Sequence, residues 1–268
     1  MARLILKDGT VLEGKSFGAE TDSDGEVVFN TGMVGYPESF TDPSYEGQIL
    51  VLTYPLVGNY GVPSSAKDAH GILKHFESNR IHIRGLVVSE YSENFHHWEA
   101  KQSLGEWLKK NKVPAITGVD TRALTQKLRE HGVLLGKIEG KKSGALSAQS
   151  AAKKFLAKNA SAPNSAASKL AFRDPNEENL VAAVSIKEPV VYRKGKKRIA
   201  LFDCGMKHNI LRSFLNRNIT VIRVPWNYDI WNGRYSFDGV FISNGPGDPA
   251  ILHEHHALLR TAFAKKIP

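Results

Sequence analysis

Val240-Phe241-Ile242-Ser243-Asn244-Gly245-Pro246-Gly247-Asp248-Pro249 is the stretch that decides how the second half of the chain is read. A short apolar run reads as a buried strand, the Gly/Pro-rich segment as a sharp turn, and Ala250 to Lys265 as a helix. Glycines at such a turn let backbone amides approach a ligand with no Cβ in the way. The start of the following helix adds partial positive charge, which suits a carboxylate or a developing oxyanion. The same pattern also serves as a tight strand-to-helix turn with no ligand at all.

Upstream the pattern repeats. Ile199-Ala200-Leu201-Phe202-Asp203 is an apolar strand, Gly205 a turn, and His208 to Asn216 a helix; Thr220 to Val224 is the next strand. Strands alternating with helices at short spacing predict a parallel, doubly wound sheet. In such sheets ligands bind outside the carboxyl ends of the strands. The region from 197 to 268 holds about 70 residues, against roughly 100–200 for a complete domain, so this second domain is expected to be incomplete.

Residues 1–140 read as a mixed β/α domain. Leu4-Ile5-Leu6, Asp8-Gly9 and Val11-Leu12 make a hairpin, because Asp-Gly suits positive φ. Further strands are expected at Gly25 to Phe29, at Ile49 to Thr53 and at Ile81 to Val88, the last interrupted by Gly85. From Trp98 the spacing turns helical, with Trp98, Leu104, Trp107 and Leu108 on one core-facing stripe and Pro114 ending the helix. Asp120 is the expected N-cap of a helix from Thr121 to His131, closed by Gly132. Residues 141–196 read as a linker, partly of low complexity: Ser143 to Ser168 is rich in Ala, Ser and Lys with little apolar periodicity. Within it Ala148 to Lys158 has partly helical character, and Val181 to Ile186 looks extended. The expected fold class is therefore α/β, with a mixed N-terminal domain (1–140) and the start of a doubly wound domain (197–268).

The hydrophobic share of 41% fits a globular protein with a core, and no apolar run approaches the ~20 residues of a membrane helix. A charge at Arg3 interrupts the N-terminal apolar stretch at once, which argues against a secretory signal. Cys204 is the single cysteine; this excludes an internal disulfide framework and points to a reducing, cytosolic compartment. The formal charge of +9 raises the question of nucleic acid. Its densest patch, Arg193-Lys194-Gly195-Lys196-Lys197-Arg198, lacks interleaved aromatic residues and reads as a solvated basic segment rather than a nucleic-acid surface.

Asn244-Gly245-Pro246-Gly247-Asp248-Pro249 is similar to the glycine loop of class I, triad-type glutamine amidotransferases. Asp203-Cys204-Gly205-Met206-Lys207-His208-Asn209-Ile210 resembles the first strand-turn-helix of that domain in carbamoyl phosphate synthetases. The front of the chain carries the same likeness, in Phe29-Asn30-Thr31-Gly32-Met33-Val34-Gly35-Tyr36-Pro37-Glu38, in Thr41-Asp42-Pro43-Ser44-Tyr45, in Leu52 to Gly61 and in Gly118 to Thr125. Together these resemble the small, glutamine amidotransferase subunit of carbamoyl phosphate synthetase, or the equivalent N-terminal region of a multifunctional pyrimidine-synthesis enzyme. The pathway, pyrimidine or arginine, stays open.

The resemblance implies an ammonia-supplying component: a thiolate attacks the side-chain amide of glutamine, ammonia leaves, and the glutamyl thioester is hydrolysed; the ammonia passes through a tunnel to a synthetase component, which makes carbamoyl phosphate from it with bicarbonate and ATP. Ser44 corresponds to a serine that contacts bound glutamine; Gly245 and Gly247 correspond to loop positions that hold it, and Gly245 offers its amide to the oxyanion. Without the resemblance Ser44 would read as an ordinary turn serine after Pro43. The implied partner is the synthetase large subunit or a fused synthetase domain, and ATP, magnesium and potassium belong there, leaving no cofactor on this chain. Neither a membrane nor nucleic acid is an expected partner. The family's nucleophilic cysteine lies in a Gly-x-Cys-x-Gly elbow after the next strand, with His and Glu beyond it; these are expected past Pro268, so catalytic residues are not expected in these 268 residues.

Cys204 ends a strand with no such elbow around it and reads as a buried structural thiol. His253 and His256, three apart, could share a helical face, but they lack the His-Glu-x-x-His spacing and a third ligand, so no metal site is expected. The rival function is a non-catalytic docking or regulatory module that keeps the synthetase-binding surface. A second rival, a basic nucleic-acid-binding protein, predicts salt-sensitive binding to generic RNA or DNA.

Overall fold

In the computed structural model, which describes residues 1–140 and 172–268, the Asp8-Gly9 turn folds β1 (Ala2–Leu6) back onto β2 (Val11–Ser16) as expected. Gly9 takes φ 91, and Asp8 Oδ1 accepts from the Thr10 N–H at 2.9 Å. The hairpin belongs to a closed barrel completed by β3 (Ser23–Asn30), β4 (Gln48–Leu52), β5 (Gly85–Val87), β6 (Ala115–Thr117) and β7 (Leu134–Glu139). The strand order around it is β1-β7-β3-β4-β5-β6-β2. Pairs β3/β4, β4/β5 and β5/β6 run parallel and the others antiparallel.

Alternation sets the inside of this barrel. Ala2, Leu4 and Leu6 of β1 point inward, with Val27, Ile49, Val51, Val87, Ile116 and Ile138 from the other strands. A small barrel is filled by its own side chains in this way and offers no channel. α1 (Tyr36–Thr41) follows β3 in the chain, and α2 (Leu104–Lys110) starts from a capping box in which Ser103 and Glu106 bond reciprocally. α3 (Thr121–His131) is capped by Asp120, whose Oδ1 accepts from Ala123 N at 2.9 Å, and adds Leu124 and Leu128 to the barrel core. Gly132 closes it at φ 76.

The protein divides into two compact units: residues Met1–Met33, Gln48–Val62 and Arg84–Asp174 hold the barrel, and Val34–Gly47, Pro63–Ile83 and Pro175–Pro268 make the second. The second unit thus draws in two segments from the front of the sequence and extends beyond the 197–268 region read as a domain. Its sheet comprises β8 (Val190–Tyr192), β9 (Arg198–Asp203), β10 (Thr220–Pro225) and β11 (Gly239–Ile242), in the order β8-β10-β9-β11. β9, β10 and β11 are mutually parallel and β8 is an antiparallel edge. Leu201 and Val221 pack with α5 (His208–Asn216) through Leu211 and Leu215, while Ala200, Phe202, Ile222 and Val224 pack on the opposite face with Ile230 and Leu258. Apolar cover on both faces is what a parallel sheet requires.

Several expected elements differ. Val181 to Ile186 is not extended: Leu180–Val184 forms a short helix, α4, whose N-cap Asn179 accepts from Ala182 N at 3.0 Å. A five-residue apolar run cannot distinguish strand from helix by periodicity, and the cap decides. Only Gly85–Val87 of the Ile81–Val88 stretch is a strand; the His82 N–H instead donates to the Phe40 carbonyl at 2.8 Å. Trp98 lies outside α2 and is 83% exposed, because Ala100–Gln102 pairs as a short strand and the helix begins only after Ser103. The segment read as low complexity and the helix expected at Ala148 to Lys158 lie outside the described residues. Among the described residues no helix is long and apolar enough to cross a membrane.

His208, at the start of α5, is buried; its ring Nδ1–H donates to the Phe76 carbonyl at 3.2 Å. Burial, aided by the positive charge of Arg223, pushes its pKa down to about 4 from the ordinary 6.5. The unfolded chain therefore takes up a proton below about 6.5 that the folded chain refuses until about 4. The His208 contribution to stability is fully present above the first value and is lost as pH falls toward the second. Urea unfolding midpoints are expected to drop between pH 7 and pH 5, and His208→Asn to flatten that slope. Asp203 is fully buried and paired with Arg223 at 2.7 Å, so Asp203→Ala leaves a guanidinium unpaired and is expected to destabilise by about 3–5 kcal/mol in the same titration.

Candidate functional site

The carboxyl end of β9 is anchored by Asp203. Its Oδ1 accepts from the N–H groups of Gly205 (3.1 Å) and Met206 (2.8 Å); its Oδ2 accepts from Ile186 N (2.9 Å) and from Arg223 Nη2 (2.7 Å) and Nε (3.1 Å). The chain then turns sharply at Gly205, with φ 118, a conformation that strains any residue with a Cβ. A methyl group there would also press on the side chains of Pro43, Pro246 and Val184, so glycine leaves room for those three side chains at the strand end.

Lys207 follows the turn and reaches Asp42, Nζ to Oδ2 at 2.7 Å. Burial works against the ammonium, but the Asp42 hydrogen bond and charge outweigh it and raise the Lys207 pKa above its ordinary value. Asp42 spends its other oxygen on the next turn: Oδ1 accepts from the Ser44 N–H at 2.9 Å. This is the Asx turn that an Asp before Pro-Ser favours. Lys207 thereby holds the turn that carries Ser44.

The carboxyl end of β11 supplies the other wall. Ser243 Oγ accepts from Cys204 N at 2.9 Å and donates to the Asn244 carbonyl at 2.8 Å, tying the two strand ends together. Asn244 Nδ2 donates to Ser44 Oγ at 2.7 Å. Residues 200 positions apart in sequence are joined by that bond, and Ser44 comes to lie against the glycine loop. Gly245 abuts Cys204 so closely that a Cβ would collide with the Cys204 carbonyl oxygen. Gly247 takes φ 76 and lies against Leu180. Among the described residues neither the Gly245 N–H nor the Gly247 N–H donates to an acceptor. The arrangement offers free backbone donors beside a half-buried hydroxyl at the carboxyl end of a parallel sheet, a place suited to an oxygen-bearing ligand.

The helix expected from Ala250 starts later. Asp248 Oδ1 accepts from Ala250 N at 2.8 Å and caps a single turn, Pro249–Ile251; α6 (His253–Ala264) begins after it with no side-chain cap. The helix dipole acts mainly within the first turn, so the loop amides carry the polarity at this site and α6 adds little.

Cys204 is 2% exposed, and burial, reinforced by the neighbouring Asp203 carboxylate, pushes its thiol up to about 12. His255 lies 3.8 Å from the sulfur but is held by the Trp226 carbonyl at 2.6 Å from Nε2. This thiol is part of the core. His253 and His256 meet ring to ring at 5.8 Å on exposed positions of α6, and no group of three or more metal-ligating side chains occurs among the described residues. The Asp203–Arg223 pair, the Lys207–Asp42 bridge and the Asn244–Ser44 bond escape a reading of the sequence, since each joins separate stretches; only the Asp42-Pro43-Ser44 turn carries a local signal.

Residues 4–138 match the family model described as carbamoyl-phosphate synthase small chain, CPSase domain, and residues 200–268 match that of class-I glutamine amidotransferase. The multifunctional protein URA2 of Saccharomyces cerevisiae is 49% identical over 287 residues, covering 100% of this chain and 12% of that protein. The carbamoyl phosphate synthase small chain of Pyrococcus furiosus is 45% identical over 269 residues, covering 99% of this chain and 67% of its own length. The arginine-specific small chain of Aspergillus oryzae is 46% identical over 256 residues, covering 94% of this chain and 52% of its own length. The chain thus spans about an eighth of its multifunctional relative. The match over the front half and the likeness to whole small chains agree: the chain belongs to the carbamoyl-phosphate synthase small chain family.

Proposed function

We propose that this chain is part of the glutamine-hydrolysing component of a carbamoyl phosphate synthase, which supplies ammonia to a synthetase large subunit or a fused synthetase domain. The observation that carries the reading is the hydrogen bond joining Asn244 of the glycine loop to Ser44 of the front segment. It sets a hydroxyl beside the free amides of Gly245 and Gly247 at the carboxyl ends of the parallel strands. In this reading Ser44, Gly245 and Gly247 hold glutamine, and the Gly245 amide also stabilises the oxyanion formed when the side-chain amide is attacked. ATP, magnesium and potassium act on the synthetase component, and the 197–268 region serves as the opening of the amidotransferase domain.

Cys204 favours a second reading for the 268 residues taken alone, that of a docking or regulatory module without thiol chemistry. With its pKa pushed up to about 12 and its sulfur in the core, it is no nucleophile near neutral pH. The isolated chain is expected to release no ammonia from glutamine. Iodoacetamide at pH 8 is expected to leave Cys204 unmodified in the folded chain and to alkylate it fully in urea. Rapid labelling of the folded chain would remove the argument.

The glutamine site is tested in the full-length native protein with its synthetase. Ser44→Ala is expected to raise KM for glutamine about tenfold with kcat little changed, the size of one lost hydrogen bond to a charged or polar group. Gly245→Ala forces the loop off Cys204 and is expected to lower glutamine-dependent kcat by about 100-fold. Carbamoyl phosphate synthesis from added ammonia bypasses the site and should survive both changes. Loss of the ammonia-dependent rate as well would mean general misfolding and would not support the assignment.

A further inference from the structure

Ser44 carries one hydroxyl proton and two lone pairs, and which of them faces the ligand depends on what its neighbour takes. Asn244 Nδ2, an amide nitrogen that can only donate, sits 2.7 Å from Ser44 Oγ and so occupies a lone pair. Among the described residues the Ser44 hydroxyl proton has no acceptor. We infer that Asn244 is a positioning residue that fixes the polarity of Ser44, so that Ser44 offers its proton outward to an oxygen of glutamine. The inference rests on the reading of Ser44 as a glutamine contact.

The backbone around Asn244 is built to keep that side chain in place. Its carbonyl accepts from Ser243 Oγ, Ser243 Oγ accepts in turn from Cys204 N, and Gly245 is wedged against the Cys204 carbonyl. The other end of the amide, Oδ1, is buried with no hydrogen-bond partner. A buried acceptor left unpaired opposes stability. Such a group calls for an explanation, and a functional role is one of those available. Ser44 is fixed from its backbone side as well, through Asp42 and Lys207, which leaves its side-chain rotamer and hydroxyl for Asn244 to set. A serine held this way favours a carboxylate or amide oxygen over an ammonium group.

The inference makes residue 244 act through Ser44, which a double-mutant cycle in the full-length native protein can read. Asn244→Ala is expected to raise KM for glutamine about fivefold with kcat within about twofold, because the loop glycines keep their places. Combined with Ser44→Ala, it should give about the tenfold effect of Ser44→Ala alone, not the product of the two. Asn244→Asp supplies an acceptor of the same shape, which draws the Ser44 proton inward; KM should rise at least as far as in Asn244→Ala. Additive effects of the two alanines, or a normal KM in Asn244→Asp, would overturn the inference. If Ser44→Ala itself leaves KM unchanged, the assignment of Ser44 to glutamine fails first, and the role of Asn244 falls with it. A drop in kcat with no change in KM on Asn244→Ala would show that residue 244 merely shapes the glycine loop.

Discussion

Asp203 puts a carboxylate where water does not reach, at the end of the central strand of the second unit, and surrounds it with N–H donors from Gly205, Met206, Ile186 and Arg223. A buried charge is tolerated only when its lone pairs are all engaged. Meeting that demand fixes several things at once: the turn at Gly205, the segment after α4 and the side chain of Arg223 on β10. Replacing the pair with apolar residues could be as stable, since desolvation offsets much of the attraction. What the pair supplies is one geometry for the strand end. The site inherits that geometry, because Lys207 leaves the same turn to hold Asp42, and Cys204 presents the N–H that anchors Ser243.

The barrel solves a different problem. Its strands mix parallel and antiparallel pairing, yet closure leaves none of the seven with a free edge. Its fully buried interior is aliphatic, from Ala2 to Ile138, with α3 adding Leu124 and Leu128. No polar chemistry is built into it. The polar networks around Asp203, Asp42 and Glu46 lie in the second unit, which recruits residues 34–47 and 63–83 from the front of the sequence. Glu46 shows how firmly: its carboxylate takes the buried His82 ring at 2.6 Å and Arg80 at 2.8 Å, and these contacts hold its pKa down despite burial. Ser44 sits two residues before that anchor.

Much of the fold can be read locally. The Asp8-Gly9 hairpin, the cap at Asp120, the close of α3 at Gly132 and all of α5 follow from turn chemistry and periodicity within a few residues. Where reading failed, the deciding contact was distant or the apolar run too short. Leu180–Val184 is helical because Asn179 caps it; Ile81 to Ile83 left the strand because His82 bonds to Phe40 and Glu46. Trp98 looked like a core residue on spacing alone, but the strand at Ala100–Gln102 interrupts the spacing and leaves the ring in solvent. Cys204 was legible as an inert thiol, and its burial supplies the reason.

By itself the sequence determined the class of each unit, the glycine loop and the family, since these are written in contiguous residues: alternating strands, Asn244 to Pro249, Asp42-Pro43-Ser44. It could also single out Ser44, Gly245 and Gly247 as candidates, but only separately. The tertiary structure decided that Ser44 and the loop share one place, that Asn244 donates into the Ser44 hydroxyl, and that Lys207 steadies the turn beneath it. The physical reason is that a hydrogen bond is set by distance and direction in space. Partners 200 residues apart leave no mark on the local pattern of either segment.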